Sequence, residues 1–184
     1  MRTALAATCQ ASAAGTTSNS PFNSGVTYEG PTTVAAGSNF QVKLTADPVP
    51  VPTTAGGYNI NNLRDLVIRF KVPAGAQFVG ATLAGGANLG NRAAPSVALN
   101  GPNVQLTVPG YLAPGSNAVL PTVTATLKAT GAAGTVLPAQ LAGTSYGDPG
   151  ISFTANVTVL FFGVDAPTNC YVPTNPVLGS VTIV

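Results

Sequence analysis

Between Ile151 and Phe162 apolar and polar residues alternate along the chain. Ile151, Phe153, Ala155, Val157, Val159 and Phe161 fall on one side, and Ser152, Thr154, Asn156 and Thr158 on the other, until Leu160 and Phe162 make the far end apolar on both. A period of two over so many positions predicts one long strand with a buried face. Asp148-Pro149-Gly150 supplies turn chemistry before it, and Asp165-Ala166-Pro167 marks a break after it. The same alternation predicts strands at Phe40–Ala46, at Asp65–Val72 and at Val119–Lys128, with Val123, Ala125 and Leu127 inward in the last. Phe78–Leu83 and Leu178–Val184 read as further strands. Val97–Leu99, the turn Asn100-Gly101-Pro102 and Val104–Val108 read as a hairpin. Residues 1–25 read as a short strand around Cys9 followed by a loop through Pro21. Asp47–Gly57 reads as a loop, because Pro48, Pro50 and Pro52 each lack a ladder donor.

These segments amount to about nine or ten short strands with no helical period. The expectation is a single domain over 1–184, an immunoglobulin-like antiparallel β-sandwich. Its expected core is Phe153, Val157, Val159, Ile68, Phe70, Val42, Leu44, Leu106, Val123 and Leu127.

Composition narrows the function more than the fold. Only 7% of the 184 residues are charged and the net charge is +2, so Thr, Ser, Asn and Gln must carry solubility. No basic cluster is large enough for nucleic acid, and no apolar run approaches the ~20 residues of a transmembrane helix. Histidine is absent, which removes imidazole acid–base chemistry, Ser-His-Asp systems and His-containing zinc sites. No P-loop, dinucleotide fingerprint or EF-hand loop is present, so no cofactor is expected.

Cys9 and Cys170 could be free buried thiols or a pair. In a low-charge, Thr- and Asn-rich chain, pairing is the favoured reading, and it implies an oxidising, extracytoplasmic compartment. Met1–Ala14 resembles a signal peptide only superficially, because its apolar stretch is short and contains Cys9. Met1 reads as the start of a form whose own signal has been removed.

An early cysteine, then NLRDLVIRFKVPAG, GTSYGDPGISFTANV, PTNC and NPVLGSVTIV follow in order. This order resembles secreted β-sandwich proteins of actinobacteria, of the mycobacterial type, over most of the chain. The resemblance implies export and an immunoglobulin-like fold, and it carries over no catalytic residue.

The remaining candidates are surface groups. Arg64, Arg69 and Lys71 form the one local concentration of positive charge. They could recognise an acidic headgroup, but charges that keep an outward strand face from pairing with other chains are the simpler reading. Tyr58, Tyr111, Tyr146 and Tyr171 lie in or beside loops, where they could stack on a ligand or seal the core through their hydroxyls. Asp148 and Asp165 flank the long strand and lie too far apart for a glycosidase pair. A calcium site at Asp47 or Asp148 is a further candidate, against turn and surface roles for the acids.

The expectation is therefore a secreted or cell-surface interaction module of the envelope, not an enzyme. It would work by self-association or by contact with another envelope component, with Arg64, Arg69, Lys71, Tyr111, Tyr146 and Val181 as surface contacts. In that reading LGSVTIV is an uncharged edge strand open to a neighbour. The alternative is an extracytoplasmic carrier of an apolar ligand such as a lipid, which requires a cavity of at least ~300 Å³.

Overall fold

A computed structural model describes residues 1–184. The chain forms sixteen strands. β1 (Arg2–Ala13) and β2 (Thr16–Glu29) make a long hairpin, followed by β3 (Thr33–Val34) and β4 (Asn39–Ala46). The proline-rich segment contributes β5 (Val49–Pro50) and β6 (Thr54–Ala55), and β7 (Tyr58–Lys71) and β8 (Ala76–Ala84) follow. β9 (Ser96–Asn100) and β10 (Asn103–Leu112) form the expected hairpin, then come β11 (Asn117–Ala118), β12 (Thr122–Ala129) and β13 (Val136–Ala139). β14 (Ile151–Val159), β15 (Phe162–Tyr171) and β16 (Gly179–Ile183) complete the chain. The antiparallel sandwich is as expected. The larger strand count comes from short bridging pairs and from two segments that the residue pattern misassigned.

One eleven-stranded sheet runs β8-β12-β4-β2-β1-β15-β14-β7-β10-β9, with β6 added beside β7. Its end strands β8 and β9 lie against each other, so the sheet curls into a sandwich close to a barrel. A three-stranded sheet, β13-β16-β3, covers one end. There Leu178, Val181 and Ile183 are fully buried. Gly179 is required at this end, because a Cβ would come within 2.2 Å of the Tyr28 ring.

Four sequence expectations change. Residues 1–25 are not a short strand and a loop, since β1 and β2 pair continuously from Arg2–Thr27 to Ala13–Thr16. Ala14 and Gly15 both have positive φ, the two-residue turn that suits strand twist. The Ser- and Asn-rich upper half of β2 is mostly exposed, so its strand state rests on backbone pairing and leaves no hydrophobic alternation to read.

The long strand also ends early. The chain reverses at Leu160-Phe161, with Val159 opposite Phe162, and β15 then runs through Asp165-Ala166-Pro167 without a break. The predicted faces hold as far as Val157, which is buried with Ile151 and Ala155, while Phe153 and Val159 are only half-buried at the edge of the core.

The C-terminal strand is not an edge. β16 lies between β13 and β3, and Val181 is 1% exposed. It buries Gly179, Val181 and Ile183 on one face and turns Ser180 and Thr182 outward, and pairing with β13 and β3 closes both of its edges to a neighbour. The free edge belongs to the upper half of β2. There β4 pairs only with Val26–Glu29, and Pro21 blunts further pairing.

Cys9 and Cys170 are directly opposed on β1 and β15 and form a disulfide across 161 positions of sequence. Both are buried. Chain entropy assigns such a long closure roughly 5 kcal/mol as an upper value.

Candidate functional site

The sandwich is filled at the β13-β16-β3 end and hollow towards the other. Inward positions of lower β1 and β2 carry Leu5, Val26 and Tyr28. Further up the hairpin the inward positions are Ala7, Cys9, Ala11 and Ala13 on β1 and Thr16, Ser18, Ser20, Phe22 and Ser24 on β2, all but Phe22 small. On the neighbouring strands of the same wall, β15 offers Ala166 and Thr168, and β14 offers Ala155 between the larger Phe153 and Val157. Side chains this small cannot meet across two sheets spaced ~10 Å apart. The result is a cavity of about 610 Å³.

Twenty-six of its 38 lining residues are hydrophobic, and none is Asp, Glu, Lys or Arg. The deep wall is aliphatic and aromatic, including Leu66, Ile68, Phe70 and Leu106, and the Cys9 sulfur side also faces it. Polar groups concentrate on one side, along the free edge of β2: Thr16, Ser18, Ser20, Asn23 and Ser24. Opposite that edge lie Val49, Pro50, Pro52 and Thr54–Gly56. No ladder joins these two borders, since β5 pairs with β11 and β6 with β7. The proline-rich segment read as a loop thus forms one lip of the cavity. The site suits an uncharged molecule with an apolar body and a hydroxyl or amide end facing the Ser/Thr/Asn border.

The predicted surface residues are not assembled around this cavity. Arg64 donates to both oxygens of Asp165, at 3.0 and 2.5 Å, and lies 3.4 Å from Asp65. Its hydrogen bonds hold the Asp165 carboxyl below its ordinary value, helped by Asn156, and the same pair raises Arg64. Arg69 donates to the Pro149 carbonyl at 2.9 Å and to Gln105 Oε1 at 3.3 Å, fastening the turn before β14. Lys71 stands exposed at the far end of β7. The positive cluster of the sequence is therefore divided among structural partners.

Tyr111 lies under Arg92, 5.1 Å from ring centroid to guanidinium, and Arg92 pairs with Asp65 at 2.7 Å. Tyr146 shares a hydrogen bond with Thr8 Oγ1 at 2.8 Å and meets the Tyr171 ring edge-on at 5.2 Å. Both tyrosines brace loops against strands. Of the acids, Asp47 is held by Arg2, and Asp148 accepts from Thr144 Oγ1 at 3.2 Å in its own turn. No three His, Cys, Asp or Glu residues cluster as metal ligands would. No helix is long and apolar enough to cross a membrane.

Sequence reasoning raised a cavity only as what the carrier alternative requires, without locating it, and missed the tip beside it. The cavity signal is the row of small residues at alternate positions of Ala7–Ala13, legible only once those positions are known to face inward. The tip signal is Leu160-Phe161-Phe162, where alternation fails. These residues are 82%, 93% and 72% exposed.

No family model and no curated protein sequence matches this chain. A solved structure from Corynebacterium diphtheriae, named "Putative membrane anchored protein", superposes over 100% of this chain with a TM-score of 0.68 at 19% identity. The chain spans 38% of that protein's length. A non-cellulosomal cohesin from Archaeoglobus fulgidus aligns over 86% of this chain and 91% of its own at 8% identity, with a TM-score of 0.38, too low for a shared fold to be argued. The chain is thus similar in fold, across its whole length, to part of an actinobacterial protein.

Proposed function

We propose that this protein is an extracytoplasmic, non-enzymatic binder of an uncharged apolar ligand of lipid type, held in the interior of the sandwich. The observation that carries the reading is the cavity of about 610 Å³ without a charged lining residue, twice the ~300 Å³ at which ligand sites begin. Interiors normally pack to crystal density, and small voids already lower stability. A space of this size, widened by Ala, Ser and Thr at many inward positions of β1, β2, β14 and β15, fits an occupant. The aliphatic wall would take an acyl or polyprenyl-like body, and the β2 border would take its neutral polar end. The buried disulfide supports an oxidising compartment, and the name of the similar structure supports the cell envelope. The acids in ion pairs and turns, together with the absence of histidine, support a role without catalysis.

The test uses a neutral apolar fluorophore, N-phenyl-1-naphthylamine, with the intact protein and with Ala7→Phe and Ala155→Phe. Each substitution adds bulk where a small side chain lines the cavity. Binding by the wild type, and its loss in folded variants, is the expected result. Equal binding in all three proteins would reject the cavity as the site. A second reading, an interaction module of the envelope, draws support from the exposed Leu160-Phe161-Phe162 turn.

A further inference from the structure

Three tight turns sit together at the hollow end. Ala14-Gly15 joins β1 to β2, Gly56-Gly57 joins β6 to β7, and Leu160-Phe161 joins β14 to β15. Register places them side by side: Asn59 of β7 pairs with Thr158 of β14, and β15 runs beside β1. Residues next to the first two turns (Ala13 and Thr16, Ala55 and Tyr58) line the cavity, and so does Val157, three positions before Leu160. Along these hairpins no charged residue occurs in 3–28, 48–63 or 149–164. The nearest charges are Arg64 and Asp165, which neutralise each other.

The third turn departs from ordinary turn chemistry. Leu160 has φ of 57°, a region that suits Gly and is strained for a branched side chain. Two-residue hairpin turns with positive φ at the first position favour Gly there. Here that position and the next two are Leu, Phe and Phe, almost wholly exposed. Backbone strain and apolar exposure therefore coincide on the same three residues, a pairing associated with functional positions. Scattered exposed apolar residues elsewhere need no such account.

We infer that Leu160, Phe161 and Phe162 form a membrane-docking tip that seats the hollow end of the protein in the interface of a lipid bilayer. The shape fits a bilayer better than a protein partner. The apolar group is a convex point of three residues on a narrow hairpin, whereas a stable protein interface takes about 20–30 residues a side. Below it runs a collar of uncharged polar side chains, Thr158 bonded to Asn61 at 3.0 Å and Asn61 to Asn156 at 2.9 Å. Tyr58, half-exposed beside them, is a residue type enriched at headgroup depth. An apolar point, a neutral polar collar and a tyrosine repeat the depth profile of a bilayer surface. Without charged groups the tip enters that surface with no ion to desolvate. Docking in this way would bring the cavity border to the membrane. The inference stands apart from the cavity ligand, so either can fail alone.

The chain contains no tryptophan, so Phe161→Trp places a single reporter at the tip. With neutral phosphatidylcholine vesicles its emission should shift to the blue and be quenched by lipids brominated near the glycerol level. The shift should persist in high salt, because no charge pair is involved. The pair Leu160→Gly with Phe161→Asn restores favoured turn residues, so it should fold at least as well as the wild type. It should lower vesicle partitioning about tenfold or more, the scale of withdrawing one aromatic side chain from an apolar phase, while leaving N-phenyl-1-naphthylamine binding unchanged. Unchanged emission with vesicles, or undiminished partitioning of the double variant, would overturn the inference. So would a blue shift that follows protein concentration in the absence of lipid, which would assign the tip to self-association.

Discussion

At one end of this molecule Leu178, Val181 and Ile183 are sealed under a three-stranded sheet; at the other, Leu160, Phe161 and Phe162 stand in solvent above a cavity. The two ends use the same kinds of residue. They differ in what faces them. Val181 and Ile183 occupy a central strand whose neighbours β13 and β3 remove both edges, so apolar side chains there contribute packing. Leu160–Phe162 turn a hairpin that projects past its neighbours, so the same chemistry is left uncovered. Between them, inward residues shrink from Leu5 to Ala13 along β1, and the interior passes from packed core to open cavity. Apolar residues therefore pack the core at one end and stand exposed at the other.

The largest expected break is Val181→Lys. It places an ammonium in a central strand at a fully buried position, and unpaired buried charge is not tolerated. Loss of the cooperative fold by circular dichroism is expected, whereas Lys at an edge position would leave the fold intact.

Removing the disulfide with Cys9→Ala and Cys170→Ala together should cost about 2–5 kcal/mol in urea unfolding. The bridge ties β1 to β15 on the cavity wall, so the hollow end should loosen first, seen as early amide exchange along β1 and β15.

Ile183→Ala and Phe153→Ala then compare the two ends directly. Ile183 is fully buried and should lose about 2–5 kcal/mol. Phe153, half-buried on the cavity lining, should lose less than Ile183 despite its larger side chain. Its substitution should instead change the affinity for the apolar fluorophore. Equal losses would mean that the two ends are packed alike.

The smallest effects involve polar groups. The Tyr28 hydroxyl is buried without a hydrogen-bond partner, so Tyr28→Phe should be neutral or stabilising by up to about 1 kcal/mol. The Asp165 carboxyl is lowered from 3.8 by its hydrogen bond from Arg64. Its stabilising contribution is complete above the ordinary carboxylate value and drains away as pH falls through the lowered folded value. Asp165→Asn should flatten that acid-side slope slightly and leave stability at neutral pH almost unchanged, since the pair is exposed.

Alternation at Leu66–Phe70, Val104–Val108 and Val123–Leu127 was enough to place the central strands and their faces, because half-buried strands force a period of two. The β9–β10 turn was equally legible from Asn100-Gly101-Pro102. The upper β1–β2 hairpin was not, because a ribbon exposed on its outer face needs no hydrophobic pattern. Leu160-Phe161 was misread because a turn made of apolar residues carries no turn signal.

The sequence by itself determined an all-β antiparallel sandwich, most of its core, and the absence of imidazole chemistry, since these follow from local periodicity and from a residue type that is missing. Only the tertiary structure decided that the sheet curls on itself, that β16 is central, and that Ala7, Ala11, Ala13, Ala166 and Ala155 line up on the adjacent strands β1, β15 and β14 as one wall of a cavity. The physical reason is that alanine is permissive: it is compatible with a close-packed strand face and with an open one. Whether a row of alanines fills space or creates it depends on the distance to the opposite wall, a quantity fixed by strands far away in the chain.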